Sequence, residues 1–159
     1  MLFHFFRRLR RDTSGLGLIE LALVTPLLSL LVLGMLDGAM IIQQALDLEQ
    51  AAQRTTDYAL AKRPRNDDKR YLETAAMEAS GEPAQSISVE LSFECSGVKQ
   101  TRFNGSCSPG QVAKRFVTVA ITREVQTGFN WRLFGALGSG ESTDYVPVTV
   151  RGDSTVRLQ

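Results

Sequence analysis

The sequence predicts an α+β chain: a long N-terminal transmembrane helix that continues into a small extracytoplasmic domain with a short helix and an antiparallel sheet of three to four strands. Three observations carry this expectation. Residues 15–42, GLGLIELALVTPLLSLLVLGMLDGAMII, form the one stretch long and apolar enough to span a hydrocarbon core, which takes about 20 residues. Beyond it, small and apolar residues recur at three- and four-residue spacing as far as Ala59, which continues the helix. From Ser86 the period changes to two, the signature of half-buried strands. The domain organisation that follows is a basic cytoplasmic leader over 1–15, a transmembrane helix over 16–42, an extracytoplasmic extension of that helix over 43–63, and a small α+β domain over 64–159.

The leader carries Arg7, Arg8, Arg10 and Arg11 against the single acid Asp12. Positive charge beside a span holds that side in the cytoplasm, so the N-terminus is expected inside and the C-terminal domain outside. A cleaved secretory signal peptide is the rival reading. Its apolar core is usually shorter, at about 7–15 residues, and no A-x-A-like site stands near the far end of this run. A plain signal-anchor fits the same charges. No charge occurs between Leu21 and Leu36, and Pro26 and Gly34 are tolerated in membrane helices.

Glu20 separates these readings. A carboxylate in a span costs about 3 kcal/mol even on the gentler insertion scale, so it marks function when a partner can be named. A cut between Gly15 and Leu16 supplies that partner. Glu20 becomes the fifth residue of the mature chain, one helical turn from the new Leu16 amine and on the same face. It also lies where the helix macrodipole favours negative charge. A neighbouring subunit's amine serves equally well, whereas a cut after Gly17 would place Ala22 fifth and lose the pairing.

These residues carry a family resemblance. An Arg-rich leader, Gly15, four apolar or small residues, Glu20 and a long apolar helix resemble the prepilin-peptidase site of the type IV pilin superfamily. More narrowly, residues 15–61 resemble TadE-like pseudopilins, minor subunits of tight-adherence (Flp-type) pili. The matching pieces are Ile19-Glu20-Leu21-Ala22-Leu23 with Pro26, then Gly34-Met35-Leu36-Asp37-Gly38, then Gln44, Ala51-Ala52, Thr55-Thr56 and Ala59. Leu21 stands where the major Flp pilins usually carry tyrosine, which favours a minor subunit. TadF- and TadG-like chains share the N-terminal pattern. The resemblance implies processing by a prepilin peptidase, an assembly role for Glu20, and other pilus or pseudopilin subunits and the lipid bilayer as partners. It also implies residence in the bacterial inner membrane or incorporation in the pilus. An unprocessed single-span anchor presenting a ligand- or partner-binding envelope domain is the alternative, and a tethered periplasmic enzyme a third.

Along the outer half of the helix, Ile41, Ala45, Leu48, Ala52, Thr55 and Ala59 form one stripe, with Gln43, Gln44, Asp47, Glu49, Gln50, Gln53 and Arg54 around the remainder. Pro64 ends the helix by pushing Arg63 toward extended geometry. Asp37, about 30 Å along from Leu16, is either hydrated among headgroups or hydrogen-bonded within an assembly. Gly34 and Gly38 make a small-xxx-small pair that admits a second helix. Residues 66–80 read as a second helix, capped by Asn66 or Asp67, with Tyr71, Leu72, Ala75, Ala76 and Ala79 on one face and Gly81 and Pro83 as its stop.

Ile87, Val89, Leu91, Phe93 and Cys95 alternate with polar residues as a first strand. A second, about residues 116–127, turns Val117, Val119, Ile121 and Val125 to one face. A third holds Val146, Val148 and Val150, resuming through Val156 and Leu158 after a bend at Gly152. Cys95 and Cys107 both fall on the outer side, where disulfides persist. A bridge between them would close a loop around the Asn104-Gly105 turn and add about 3 kcal/mol on the chain-entropy model. Residues 128–140, with Phe129, Trp131, Leu133, Phe134 and Leu137, either cap the core or form a contact patch. Arg151-Gly152-Asp153 spells a cell-adhesion tripeptide.

Chemistry of its own is not expected of this chain. The one histidine, His4, stands among phenylalanines without a partner for acid–base or metal work. Asp67-Asp68 lies beside Lys69 and Arg70 at a helix start with no third metal ligand, and two cysteines alone make no structural zinc site. Asn104-Gly105-Ser106 is a glycosylation sequon only where that machinery exists. Net charge is +1, and the leader's arginines supply the excess, so no basic surface for nucleic acid remains. No cofactor, metal or small-molecule substrate is expected.

Overall fold

A single α-helix, α1, runs through Leu16–Ala61, 46 residues or about 70 Å at 1.5 Å per residue. The computed structural model describes residues 16–65, 67–130 and 147–158. The chain divides into two units, Met1–Ala39 and Met40–Gln159.

In the first unit the described residues are the opening half of α1. Its large apolar side chains are exposed, with Ile19, Leu21, Leu23, Leu27 and Met35 each above 60%. A helix apolar on all faces suits lipid better than water. Its hydroxyls are satisfied internally: Thr25 Oγ1 donates to the Leu21 carbonyl at 2.6 Å and Ser29 Oγ to that of Thr25 at 2.9 Å. Such bonds are what an apolar surround demands of polar groups. Pro26 lies within the helix without ending it. Asp37 is buried, at 5% exposure.

The second unit is an α+β sandwich of helices on one sheet. After α1 come α2 (Arg70–Ser80), a 3-10 turn at Ala84–Ser86, and strands β1 (Ile87–Cys95), β2 (Val98–Gln100), β3 (Ala113–Val125) and β4 (Val148–Arg157). The four strands pair antiparallel in the order β2-β1-β3-β4. Alternation sends Val89, Phe93, Cys95, Val117, Val119, Ile121 and Val150 into the core, with Leu72 and Ala76 of α2 and the buried stripe of α1 above them. That stripe is Leu48, Ala51, Ala52, Thr55, Thr56 and Ala59. Five of its six residues are small, so the helix backbone lies close on the strands.

The point of closest approach is Gly152. A Cβ there would lie 2.3 Å from the Leu48 carbonyl carbon and from the Glu49 nitrogen. The expected bend at this glycine is absent: β4 pairs with β3 without interruption, Ile121 facing Gly152 and Val119 facing Ser154. Glycine is there for room, not for a turn. Thr56 Oγ1 and Ser154 Oγ, 3.0 Å apart, tie the same helix and strand two residues on.

Two further elements differ from expectation. Helix α2 starts at Arg70, not at 66, because Asp67 is committed across the fold and Asp68 serves the helix start at Arg70. The Asp68 carboxylate accepts the Arg70 N–H at 3.2 Å, while that of Asp67 accepts the N–H of Phe103 at 3.3 Å. Its end is as expected, with Gly81 left-handed at φ 71° and donating to the Met77 carbonyl. The short strand β2 was not anticipated. Ser96 and Gly97 both take positive φ, 49° and 89°, as a two-residue hairpin turn of the primed type requires.

Candidate functional site

The expected functional centre is the start of α1. Leu16 and Glu20 both lie on α1, one turn apart and about 6 Å along the axis. Glu20 is exposed, so its carboxylate is open to a partner. Gly15 and the topology arginines Arg7, Arg8, Arg10 and Arg11 lie outside the described residues, as do His4, Trp131, Leu133, Phe134 and Leu137. Beside Gly38 the helix surface is open, with no atom within 4 Å of where a Cβ would stand.

Where α1 meets the sheet, a half-buried polar junction forms that the hydrophobic pattern does not announce. Arg123 sits at an inward position of β3, between Ile121 and Val125. Its guanidinium donates to Gln44 Oε1 of α1, to Glu82 Oε1, and to the Ser80 carbonyl at the end of α2 at 2.8 Å. Arg123 and Glu82 are 24% and 16% exposed, so this pair is largely withdrawn from water. One planar fork of five donors can serve three acceptors on three segments at once. The signal was a charged residue at a core parity position, with Gln44 the matching polar residue one turn before Leu48.

At the other end of the sheet, Cys95 and Cys107 are bridged, with 5.5 Å between their Cα atoms. Arg115 reinforces the loop they close. It donates from Nε to the Phe103 carbonyl at 3.1 Å and from Nη2 to that of Gly105 at 2.9 Å, and its guanidinium stacks 4.6 Å over the Phe93 ring. Gly105 rests on the same ring, where a Cβ would stand 2.9 Å from a ring carbon. At the end of α1, the Tyr71 hydroxyl donates to the Lys62 carbonyl at 2.7 Å and its ring meets Tyr58 edge-on. Burial first, then the neighbouring Tyr58 and Asp68, raise the Tyr71 hydroxyl above its ordinary value of 10.0. Within the tripeptide at 151–153, Gly152 is buried under α1 and only Arg151 and Asp153 are exposed, which leaves no projecting loop.

Among the described residues no cluster of His, Cys, Asp or Glu could hold a metal ion.

These features define a class: a chain with, among the described residues, one N-terminal helix long and apolar enough to cross a membrane, and a disulfide-bridged α+β unit after it. Residues 15–57 match the family model described as TadE-like protein, so this stretch is similar to that family. The match opens at Gly15, takes in Glu20, Asp37 and Gln44, and stops before the sheet begins. Comparisons with curated proteins and with solved structures found no match.

Proposed function

We propose that this chain is a minor pseudopilin of a tight-adherence (Flp-type) pilus. It resides in the bacterial inner membrane with its N-terminus in the cytoplasm and its α+β domain outside. A prepilin peptidase cuts between Gly15 and Leu16, and the mature chain takes part in assembly or initiation of the pilus. The chain is the peptidase's substrate and performs no catalysis. Its partners are that peptidase, other pilus or pseudopilin subunits, and the bilayer.

One observation carries this reading: the TadE-like match opens at Gly15, the residue before the proposed cut, and runs along the apolar helix past Glu20. Mass spectrometry of the chain purified from membranes tests it directly. The expected N-terminus is Leu16, and Gly15→Val should block the cut by crowding a site that takes a residue with no side chain. An intact precursor in cells that hold an active prepilin peptidase would instead support the unprocessed anchor.

A further inference from the structure

Charge is unevenly distributed over the unit Met40–Gln159. At one end Arg123 gathers Gln44, Ser80 and Glu82, and a carboxylate stands beside each segment it joins. Asp47 lies one turn on from Gln44, Glu78 is in the last turn of α2, and Glu124 follows Arg123. All three are exposed and enter no ion pair among the described residues. The cations nearby are engaged, Arg123 with Glu82 and Arg151 with Asp153.

The opposite end has the reverse sign. Helix α1 stops at Ala61, and Lys62, Arg63 and Arg65 follow it. The disulfide loop adds Arg102, because Phe103 beside it donates its N–H to Asp67 and shares a cleft with Arg63, Pro64 and Asn104. Arg63 also lines a second cleft, with Lys62, Arg65, Asp68 and Tyr71. Arg63, Arg65 and Arg102 are exposed and enter no ion pair among the described residues. Of the three local aspartates, Asp67 and Asp68 already accept backbone N–H groups, and Asp57 lies one turn before the end of α1. Cations just past a helix C-terminus offset its dipole, which accounts for Lys62 and Arg63. It does not account for Arg102 on another segment, nor for unpaired carboxylates gathered at the far end.

We propose that the acidic end of one copy, at Asp47, Glu78 and Glu124, docks on the basic end of a second copy, at Arg63, Arg65 and Arg102. The two surfaces differ, so the contact is head to tail and each added copy leaves one end of either sign open. Complementary charge of this kind fixes orientation and excludes like ends more than it supplies strength. The proposal rests on the pilus reading for its setting, not for its chemistry.

The test is a charge swap between full-length chains bearing two different tags, co-expressed in cells lacking other pilus proteins and extracted in detergent at about 0.1 M salt. Unaltered copies should co-purify, and about 1 M salt should disperse them. The variant Arg63→Glu/Arg65→Glu presents two acidic ends and should lose self-association; Glu78→Lys/Glu124→Lys presents two basic ends and should lose it too. Mixed together, the two variants should co-purify again. Protection of Cys95 and Cys107 from alkylation confirms that each variant is folded. Failure of unaltered copies to co-purify, indifference to either reversal, or no recovery on mixing would overturn the proposal. Pilus counts in the same variants are a separate readout. A charge-dependent contact in cells whose pili never require this chain would sink the pilus reading and leave the contact standing.

Discussion

At the scale of single residues, Gly152 and Arg123 decide how α1 lies on the sheet. A methyl group at Gly152 would meet helix backbone at 2.3 Å, and backbone cannot move aside as a side chain can. Gly152→Ala should therefore destabilise the outer domain by about 3 kcal/mol, the upper range for overpacking. Chemical denaturation of the detergent-solubilised chain measures this, and an unchanged midpoint would mean the helix sits further off. Arg123 poses a different case, since its loss leaves Glu82 charged, shielded from water and without its partner. Arg123→Met should cost about 3 kcal/mol. Arg123→Lys keeps the charge but not the fork, and should recover only part of the loss because an ammonium cannot reach Gln44, Glu82 and Ser80 together. Equal stability of the Lys variant and the natural chain would reduce the junction to a simple charge pair.

At the scale of elements, the helix and strands are legible because their periods are clean, and each miss has its own physical cause. Leu48, Ala52, Thr55 and Ala59 keep helical spacing and are buried; Val89, Phe93 and Cys95 alternate and are buried too. Strand β2 escaped because three exposed residues have no burial pattern to show. The sequence puts the start of α2 four residues early because Asp67, a good cap by type, is committed to Phe103 across the fold. Arg115 and Arg123 were invisible as pairs because their partners lie on other segments. The disulfide was legible from compartment and count, but not its backing by Arg115 and Phe93. Removing the bridge by Cys95→Ala/Cys107→Ala should cost about 3 kcal/mol on the chain-entropy model, less whatever Arg115 retains. Alkylation without reductant should label neither cysteine in chain taken from cells, and full labelling would contradict the bridge. Tyr71 gives a pH-dependent counterpart. Its hydroxyl, raised in the folded state, stabilises the end of α1 fully below about pH 10, and this is lost as pH rises through the folded value. Tyr71→Phe should thus be less stable than the natural chain near neutrality, with the gap closing at higher pH; a gap that widened there would reverse the sign.

At the scale of the whole molecule, the proposed function turns on whether Glu20 serves assembly or only sits in the helix. Insertion, cleavage and assembly make separable demands on it. For insertion, Glu20→Ala removes a charge from an apolar helix, so membrane recovery should be equal or better. For cleavage, the bond lies four residues upstream of Glu20 and Gly15 is unchanged, so the mature band should persist. For assembly the substitution should be harmful. On the proposed reading the cut frees a Leu16 amine, a cation at the membrane edge, and Glu20 is an exposed carboxylate one turn away on α1. Between neighbouring chains in a low dielectric, such a pair is worth more than in water, and breaking one side of a buried pair costs about 3–5 kcal/mol, less near headgroups. Glu20→Asp keeps the charge with a shorter reach and should fall between the two. An immunoblot for the mature band, paired with a count of surface pili and recovery of other pilus subunits, separates the three demands. Normal cleavage with normal pili in Glu20→Ala would remove Glu20 from assembly and return the helix to the role of a plain anchor. Loss of the mature band would instead place Glu20 among the residues the peptidase reads. Normal cleavage with few pili is the expected result, because only contact between mature chains needs both the amine and the carboxylate.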